Sequence, residues 1–411
     1  MKYFARAALA LLALFVVGNI ANAQTEYESL VRQDSVSITR INLDKLSAEQ
    51  LSQVVQKVGN AAVDYFVDDK EQKDSVKKLL PIAGIFLSQF FESNVQPFKD
   101  AGVKDAYFVV DLPEDPAETY YPYVAFPVAS MNEQQKKDLR DAVSNVNKQI
   151  PESAEFTLKY RFERNGFLFI LVIPKDVDQS VVKEYMKNRF TTIEPAKDPF
   201  AKQAFDAIGP NVPLSGVNFK PQNSDFSANQ ISQLFKQLEG NEIFGDVEGL
   251  KEKVTKLDEV SKKLQEKVQY SYWFVDVDNL EITSVVQANS PDDAKAYLNG
   301  IESDVVPLIN EIIDAGSKIS LGDEDAQLDD SEKDLLLNLC EHVKKLVVVF
   351  TKSTVKDSEV VWKLDESFWK ENRATFTDFI DFVKKDLLPK VQSDVNVEDL
   401  EDLEDLDFEA L

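Results

Sequence analysis

Two periodicities of hydrophobic and polar positions alternate along the chain. Residues 35–43 alternate between apolar and polar side chains, which predicts a β-strand. From Leu51 to Phe66, apolar residues recur every three or four positions, which predicts an amphipathic helix. Ser47 and Gln50 have the spacing of a capping box at the start of this helix. The chain therefore begins its folded part with a strand followed by a capped helix.

The sequence at the start of this helix occurs twice. Leu46–Gln53 reads LSAEQLSQ and Phe226–Gln233 reads FSANQISQ, with five of the eight positions identical. The predicted elements after each copy follow in the same order. We therefore predict an α+β fold of two homologous β-α-α-β-β-α-β-β-α repeats, with mainly antiparallel sheets and helices packed on one face. The pattern leaves open whether the two repeats share one sheet.

Composition shifts divide the chain into five segments. A proline-rich connector, with a short helix possible from Phe200 to Ile208, separates the repeats. Three tandem Glu-Asp-Leu units in the last segment predict a disordered acidic tail, with a recognition segment for a basic partner as the alternative. The predicted segments are a signal peptide (1–23), repeat 1 (24–190), the connector (191–213), repeat 2 (214–390, with an insertion at about 300–345) and the tail (391–411).

Several strand pairs can be predicted locally. Asn165 and Gly166 lie between two apolar runs, which predicts a tight β-hairpin. Pro122 and Pro127 cannot donate a backbone hydrogen bond, so the strand around them is a candidate for a sheet edge. Residues 346–351 and 359–364 are predicted to form the last hairpin.

The N-terminus has the pattern of a secretory signal. Lys2 and Arg6 precede an uncharged apolar run, and Ala21-Asn22-Ala23 fits a cleavage site. The apolar run would span only about 16 Å as a helix, against about 30 Å for a bilayer core. We therefore expect a soluble, exported chain, periplasmic or extracellular, without a membrane span.

The net charge restricts the classes of binding partner, and the cysteine count restricts disulfide formation. The chain has 72 acidic and 46 basic residues, a formal net charge of −26. This charge argues against nucleic acids and anionic membrane surfaces, which attract basic patches. Cys340 is the one cysteine, so no intrachain disulfide can form.

The usual signatures of catalysis are missing from the sequence. The single histidine, His342, is two residues from Cys340 on a predicted helix, so the two side chains point about 200° apart. We expect Cys340 to be a buried apolar residue and His342 to face solvent or cap a helix. No phosphate-loop, dinucleotide or zinc-protease motif occurs. We expect no catalytic residues and no cofactor; weak Ca²⁺ binding by acidic segments and a hydrolase that uses two carboxylates stay open.

Two groups of aromatic residues are candidates for binding. Tyr120, Tyr121 and Tyr123 cluster at the end of a long loop, residues 112–120, and offer apolar area with polar tips, as interaction surfaces often do. Packing in the core or at a strand edge is the alternative for these tyrosines. The helical face around Phe86, Phe90 and Phe91 suggests a site for a hydrophobic ligand between sheet and helices.

The chain resembles the uncharacterised exported proteins of planctomycete-type bacteria. The resemblance is carried by the signal sequence, by Ala101–Asp105 leading into an aromatic strand, and by the capped helix at Ser47. It implies export but no known activity, and it supplies no site residues.

Together these observations predict an exported, non-catalytic binding or structural protein of the cell envelope, whose partner is an unknown protein or a hydrophobic ligand. The first alternative is a carrier of a hydrophobic ligand held between sheet and helices. The second is a carboxylate-dependent enzyme that acts on glycans. The oligomeric state is left open.

Overall fold

The computed structural model describes residues 30–31, 35–66, 70–111, 123–151, 154–162, 166–191, 200–209, 212–219, 250–277, 279, 281–322 and 330–387. The predicted signal peptide, the second octapeptide, the loop 112–120 and the acidic tail lie outside these residues.

The strands of the described residues form one antiparallel sheet in the order β4-β5-β3-β2-β1-β6-β7-β8-β10-β9. With the helices this gives the predicted α+β class. The strands are β1 (Ser35–Asn42), β2 (Asp105–Asp111), β3 (Tyr123–Pro127), β4 (Phe156–Phe162), β5 (Phe167–Pro174), β6 (Leu214–Phe219), β7 (Val268–Asp276), β8 (Glu281–Ala288), β9 (Thr354–Lys356) and β10 (Glu359–Leu364).

The α-helices of the described residues are α1 (Ala48–Phe66), α2 (Lys70–Asn94), α3 (Gln96–Asp100), α4 (Glu133–Gln149), α5 (Gln179–Thr191), α6 (Phe200–Ile208), α7 (Leu250–Gln265), α8 (Pro291–Gly300), α9 (Val306–Gly322), α10 (Asp330–Phe350), α11 (Glu366–Glu371) and α12 (Arg373–Phe382). A short 3₁₀ turn at Leu43–Lys45 follows β1, and π-helical turns at Ile301–Val305 and Val383–Leu387 follow α8 and α12.

The two halves of the chain meet in the middle of the sheet. β1 and β6 are antiparallel neighbours, with Ile38 opposite Val217. Outward from this junction the order is β1-β2-β3-β5-β4 on one side and β6-β7-β8-β10-β9 on the other. The halves therefore share one sheet and repeat one strand order. The duplication itself stays a prediction, because the second octapeptide lies outside the described residues.

Helices cover the two faces of the sheet differently. On one face, Phe98 of α3 stacks on Phe126 of β3 with ring centroids 5.4 Å apart, and Ala294 of α8 packs with Val360 of β10. On the other face lies the connector helix α6, whose Phe200 stacks on Tyr270 of β7 at 5.2 Å. Helices α3 and α8 thus lie on the same face, and the connector helix covers the opposite one.

The predicted edge position of β3 is wrong. β3 lies inside the sheet, between β2 and β5. Pro127 is its last residue, and Pro122 precedes its first, Tyr123. Pro127 therefore ends the strand and does not interrupt the ladder, in which Ala125 pairs with both Tyr107 and Phe169.

The predicted strand at 346–351 is also wrong. Residues 346–350 form the last turn and a half of α10, and β9 begins at Thr354. Val349 is buried against Phe368 and Phe376. A short apolar run fits a buried helix as well as a strand, and here packing against α11 and α12 selects the helix.

Candidate functional site

The three predicted surface tyrosines are not brought together as a surface by the described residues. Tyr123 is 1% exposed, and its ring packs edge-on against Phe169 at 5.8 Å. The prediction fails for Tyr123 because its side chain lies on the sheet face that also carries Val109 and Leu171, both fully buried. Tyr120 and Tyr121 lie outside the described residues, so their role stays a prediction.

An exposed apolar surface lies instead on α2. Leu79, Ile82, Ile85 and Phe86 are 60%, 48%, 57% and 59% exposed. We call these four residues the outer stripe. They occupy two turns of one helix, whereas large apolar side chains at a protein surface are usually scattered. Among the described residues, this is the densest group of exposed large apolar side chains.

The opposite side of α2 is packed. Phe91 is 2% exposed, and Leu87 contacts the main core. Gly84 lies against α1: a Cβ at this position would be 2.5 Å from Ser52 Oγ. The helix therefore has one apolar side that the fold covers and another that it leaves in water.

Hydrogen bonds hold the base of α2 in place. Ser88 Oγ donates to the carbonyl oxygen of Ala48 at 3.2 Å. Lys99 Nζ donates to the carbonyl oxygen of Leu46 at 2.6 Å and lies 5.6 Å from the ring centroid of Phe91. Ser88 and Phe91 belong to α2 and Lys99 to α3, so these contacts hold the covered side of α2 and the short helix after it against the start of α1. The outer stripe lies on the other side of α2 and faces outward.

Charged side chains of both signs border the outer stripe, and the exposed Asp74 lies one helical turn before Lys78. Lys78 and Glu92 are both exposed and lie at its two ends. They are fourteen residues apart, close to four helical turns, so they project from the same flank of α2. Ile85 lies midway between them on that flank.

In the other half of the sheet, helix α7, which precedes β7, is covered by another helix. α7 precedes β7 as α2 and the short α3 precede β2, and its Val254 and Leu257 are buried. Helix α9 of the predicted insertion packs along α7. Lys253 of α7 and Glu311 of α9 form an ion pair at 2.5 Å, and this contact lowers the pKa of Glu311.

His342 and Cys340 do not form a reactive pair. The His342 ring stacks on Phe382 at 4.8 Å and lies 6.0 Å from Phe379, so it packs against aromatic rings and is half-buried rather than fully exposed. Cys340 is half-buried, and burial raises the pKa of its thiol. A thiol with a raised pKa is a poor nucleophile at neutral pH.

A buried polar group lies at the junction of the halves. Arg40 and Asn42 of β1 share a face with Asp105 of β2 and Ser215 of β6, and all four are at most 5% exposed. The Arg40 guanidinium lies 5.0 Å from the ring centroid of Phe205 on α6. This contact attaches the connector helix to the sheet, so we assign the group a structural role.

Acidic side chains are numerous, but in the part of the chain that the structure describes no three His, Cys, Asp or Glu residues are grouped so as to hold a metal ion. Predicted weak Ca²⁺ binding would involve the segments around 323–330 and 391–411, which lie almost wholly outside that part.

Among the described helices, none combines the length and the apolar content that crossing a membrane requires. No protein-family model, curated protein or solved structure matches the chain. The resemblance to exported proteins of planctomycete-type bacteria therefore stays a prediction from the sequence.

Proposed function

We propose that the chain is an exported, non-catalytic protein of the cell envelope that binds another protein through the outer stripe of α2. The observation that carries this proposal is the exposure of Leu79, Ile82, Ile85 and Phe86 on a helix held at its base. Contiguous apolar patches on the surface of a folded protein are typical of sites that bind other proteins. Export is supported by the N-terminal sequence pattern.

The charges around the stripe favour a protein over a membrane surface. Helices that lie on anionic membranes carry many Lys or Arg residues on their polar face. In a chain of net charge −26, helix α2 carries charges of both signs, Lys70, Lys73, Lys77 and Lys78 against Glu71, Asp74 and Glu92. An apolar helix face with a few charges of both signs suits another helix.

The carrier alternative has less support. It was suggested by Phe86, Phe90 and Phe91 as one lining, but Phe86 is 59% and Phe91 2% exposed. The two rings point to opposite sides of α2 and cannot line one pocket. The placement of the His342 ring and the Cys340 thiol argues only against nucleophilic catalysis by these two residues. The alternative of a carboxylate-dependent enzyme that acts on glycans stays a prediction from the sequence.

Site-specific photocrosslinking in the producing cells tests the proposal. A photoreactive residue replaces Phe86 or Ile82 in the full chain, and in a matched control it replaces Val181, which is 49% exposed on α5. We expect crosslinked protein from positions 82 and 86, in the envelope or extracellular fraction. Position 181 should give little.

A second substitution makes the result specific. Ile85→Asp places a charge in the stripe and should abolish crosslinking from position 86. Equal yields from positions 86 and 181, or an unchanged yield in the Ile85→Asp background, would overturn the proposal.

A further inference from the structure

We infer that the outer stripe of α2 binds the same stripe of a second copy of this chain, in a two-fold antiparallel helix pair. The inference rests on the proposed function, because both use the same surface. It adds the identity of the partner and the direction of the helix pair.

The exposed residues of α2 repeat every seven positions. Lys78, Ile85 and Glu92 form one row, because seven residues are nearly two helical turns. Leu79 and Phe86 form the adjacent row. Rows with a seven-residue repeat are the pattern by which two helices pack side by side.

The charges in the first row select an antiparallel pair. In an antiparallel pair, the two-fold axis is perpendicular to both helices and passes between them at the level of Ile85. The flank that carries Lys78 and Glu92 then lies on the same side of the interface in both copies. Lys78 of one copy then faces Glu92 of the other, and the contact occurs twice. In a parallel two-fold pair, the flank that carries Lys78 and Glu92 would lie on opposite sides of the interface in the two copies, so Lys78 would not meet Glu92 and neither contact would form.

The same axis matches the apolar residues. Ile82 of one copy lies beside Phe86 of the other, and Leu79 lies beside Phe90. Phe90 is partly exposed and completes the apolar surface beyond Phe86. The surface is therefore complementary to itself in polarity and in charge.

The second half of the chain contains a comparable packing of one helix against another. There α9 covers α7, and Lys253 and Glu311 form an ion pair across the two helices. In the first half, the outer stripe of α2 is exposed, without a helix of the described residues over it. A second copy would supply for α2 what α9 supplies for α7.

Charge reversal at the two ends of the stripe tests this inference in the mature full-length chain. Sedimentation velocity over a range of concentrations is compared for the wild type, Lys78→Glu, Glu92→Lys and the double variant. Each single reversal places like charges at both ends of the pair, and we expect the dimer dissociation constant to rise about tenfold. The double variant restores opposite charges and should return within about threefold of the wild type.

Ile85→Asp provides an independent test, because it places two carboxylates on the axis. This variant should be monomeric at all concentrations at which the wild type is a dimer. Because Lys78, Ile85 and Glu92 are exposed, substitutions at these positions should leave the fold intact. Circular dichroism and urea unfolding of each variant as a monomer verify this.

Two sets of results would overturn the inference. A monomeric wild type whose position 86 crosslinks to a different protein, or to its own acidic tail, would reject the second copy; the first of these results keeps the proposed function. A dimer that tolerates Ile85→Asp, or a double variant weaker than both single variants, would reject the antiparallel pair. A monomer with no crosslink at position 86 would reject both proposals.

Discussion

Phe86 and Phe91 lie five residues apart on α2 in opposite environments. Five residues rotate the helix by about 140° beyond one full turn. Phe91 is 2% exposed below the Lys99 ammonium, and Phe86 is 59% exposed. One helix therefore has a side that stabilises the fold and a side that is available for binding.

The difference in exposure between Phe91 and Phe86 predicts different losses of stability when each is replaced by alanine. Phe91→Ala leaves a cavity in the core and should lower the free energy of unfolding by about 3–5 kcal/mol. Phe86→Ala removes an exposed side chain and should change it by less than about 0.5 kcal/mol. Urea unfolding at a concentration where the chain is monomeric measures both. Similar losses in the two variants would contradict the assignment of the two sides.

Replacing serine with alanine should change the free energy of unfolding in opposite directions at positions 215 and 290. Ser215 is 0% exposed, and its hydroxyl has no hydrogen-bond partner in the described part of the chain. Ser290 caps α8 and accepts a hydrogen bond from the Asp293 amide at 3.1 Å. Ser215→Ala should raise the free energy of unfolding by about 1 kcal/mol, because a buried hydroxyl without a partner is costly. Ser290→Ala should lower it by about 1 kcal/mol. Losses in both variants would show that Ser215 has a favourable contact.

Local patterns predicted the elements that depend on neighbours along the chain. The Gln50 amide donates to Ser47 Oγ at 3.1 Å, as the capping pattern requires. The Asn-Gly pair separates β4 and β5, and Gly166 has a φ of +84°, a conformation that glycine adopts without strain. The connector helix has the predicted bounds, Phe200–Ile208. In each case a few adjacent residues determine the conformation.

Features that depend on distant residues were not predictable in this way. Leu79 and Phe91 are both apolar positions of one helix, and nothing in their spacing shows which of them a partner covers. Tyr123 looked available beside a long loop, but β2 and β5 enclose it on both sides. The burial of Arg40 had a signal in the alternation of β1, since Ile38 and Arg40 share a face. That alternation did not reveal that α6 would lie over it.

Buried tyrosines predict a loss of stability at alkaline pH. Burial raises the pKa of Tyr272 well above its usual value of 10, with a further contribution from Glu359, and burial also raises the pKa of Tyr270 and Tyr297. Above about pH 10 the unfolded chain releases phenolic protons that the folded chain keeps. The free energy of unfolding should therefore fall by up to about 1.4 kcal/mol per pH unit for each tyrosine.

Urea unfolding from about pH 8 to about pH 11 measures this slope. Tyr272→Phe should make the slope shallower by the contribution of one group. A slope that Tyr272→Phe leaves unchanged would show that this phenol does not stay protonated in the fold.

The crossing of α1 and α2 predicts a coupling between Gly84 and Ser52. A Cβ at position 84 would be 2.5 Å from Ser52 Oγ but 3.5 Å from Ser52 Cβ, so the hydroxyl is the obstacle. Gly84→Ala should lower the free energy of unfolding by about 1 kcal/mol, since overpacking exceeds the gain in helix propensity. In a Ser52→Ala background the same change should raise it by about 1 kcal/mol, because only the propensity gain remains. Urea unfolding of the four proteins gives the coupling energy, which we expect to be about 2 kcal/mol. Additive effects would mean that the helices adjust their spacing, and then α2 would not hold the outer stripe in a fixed position.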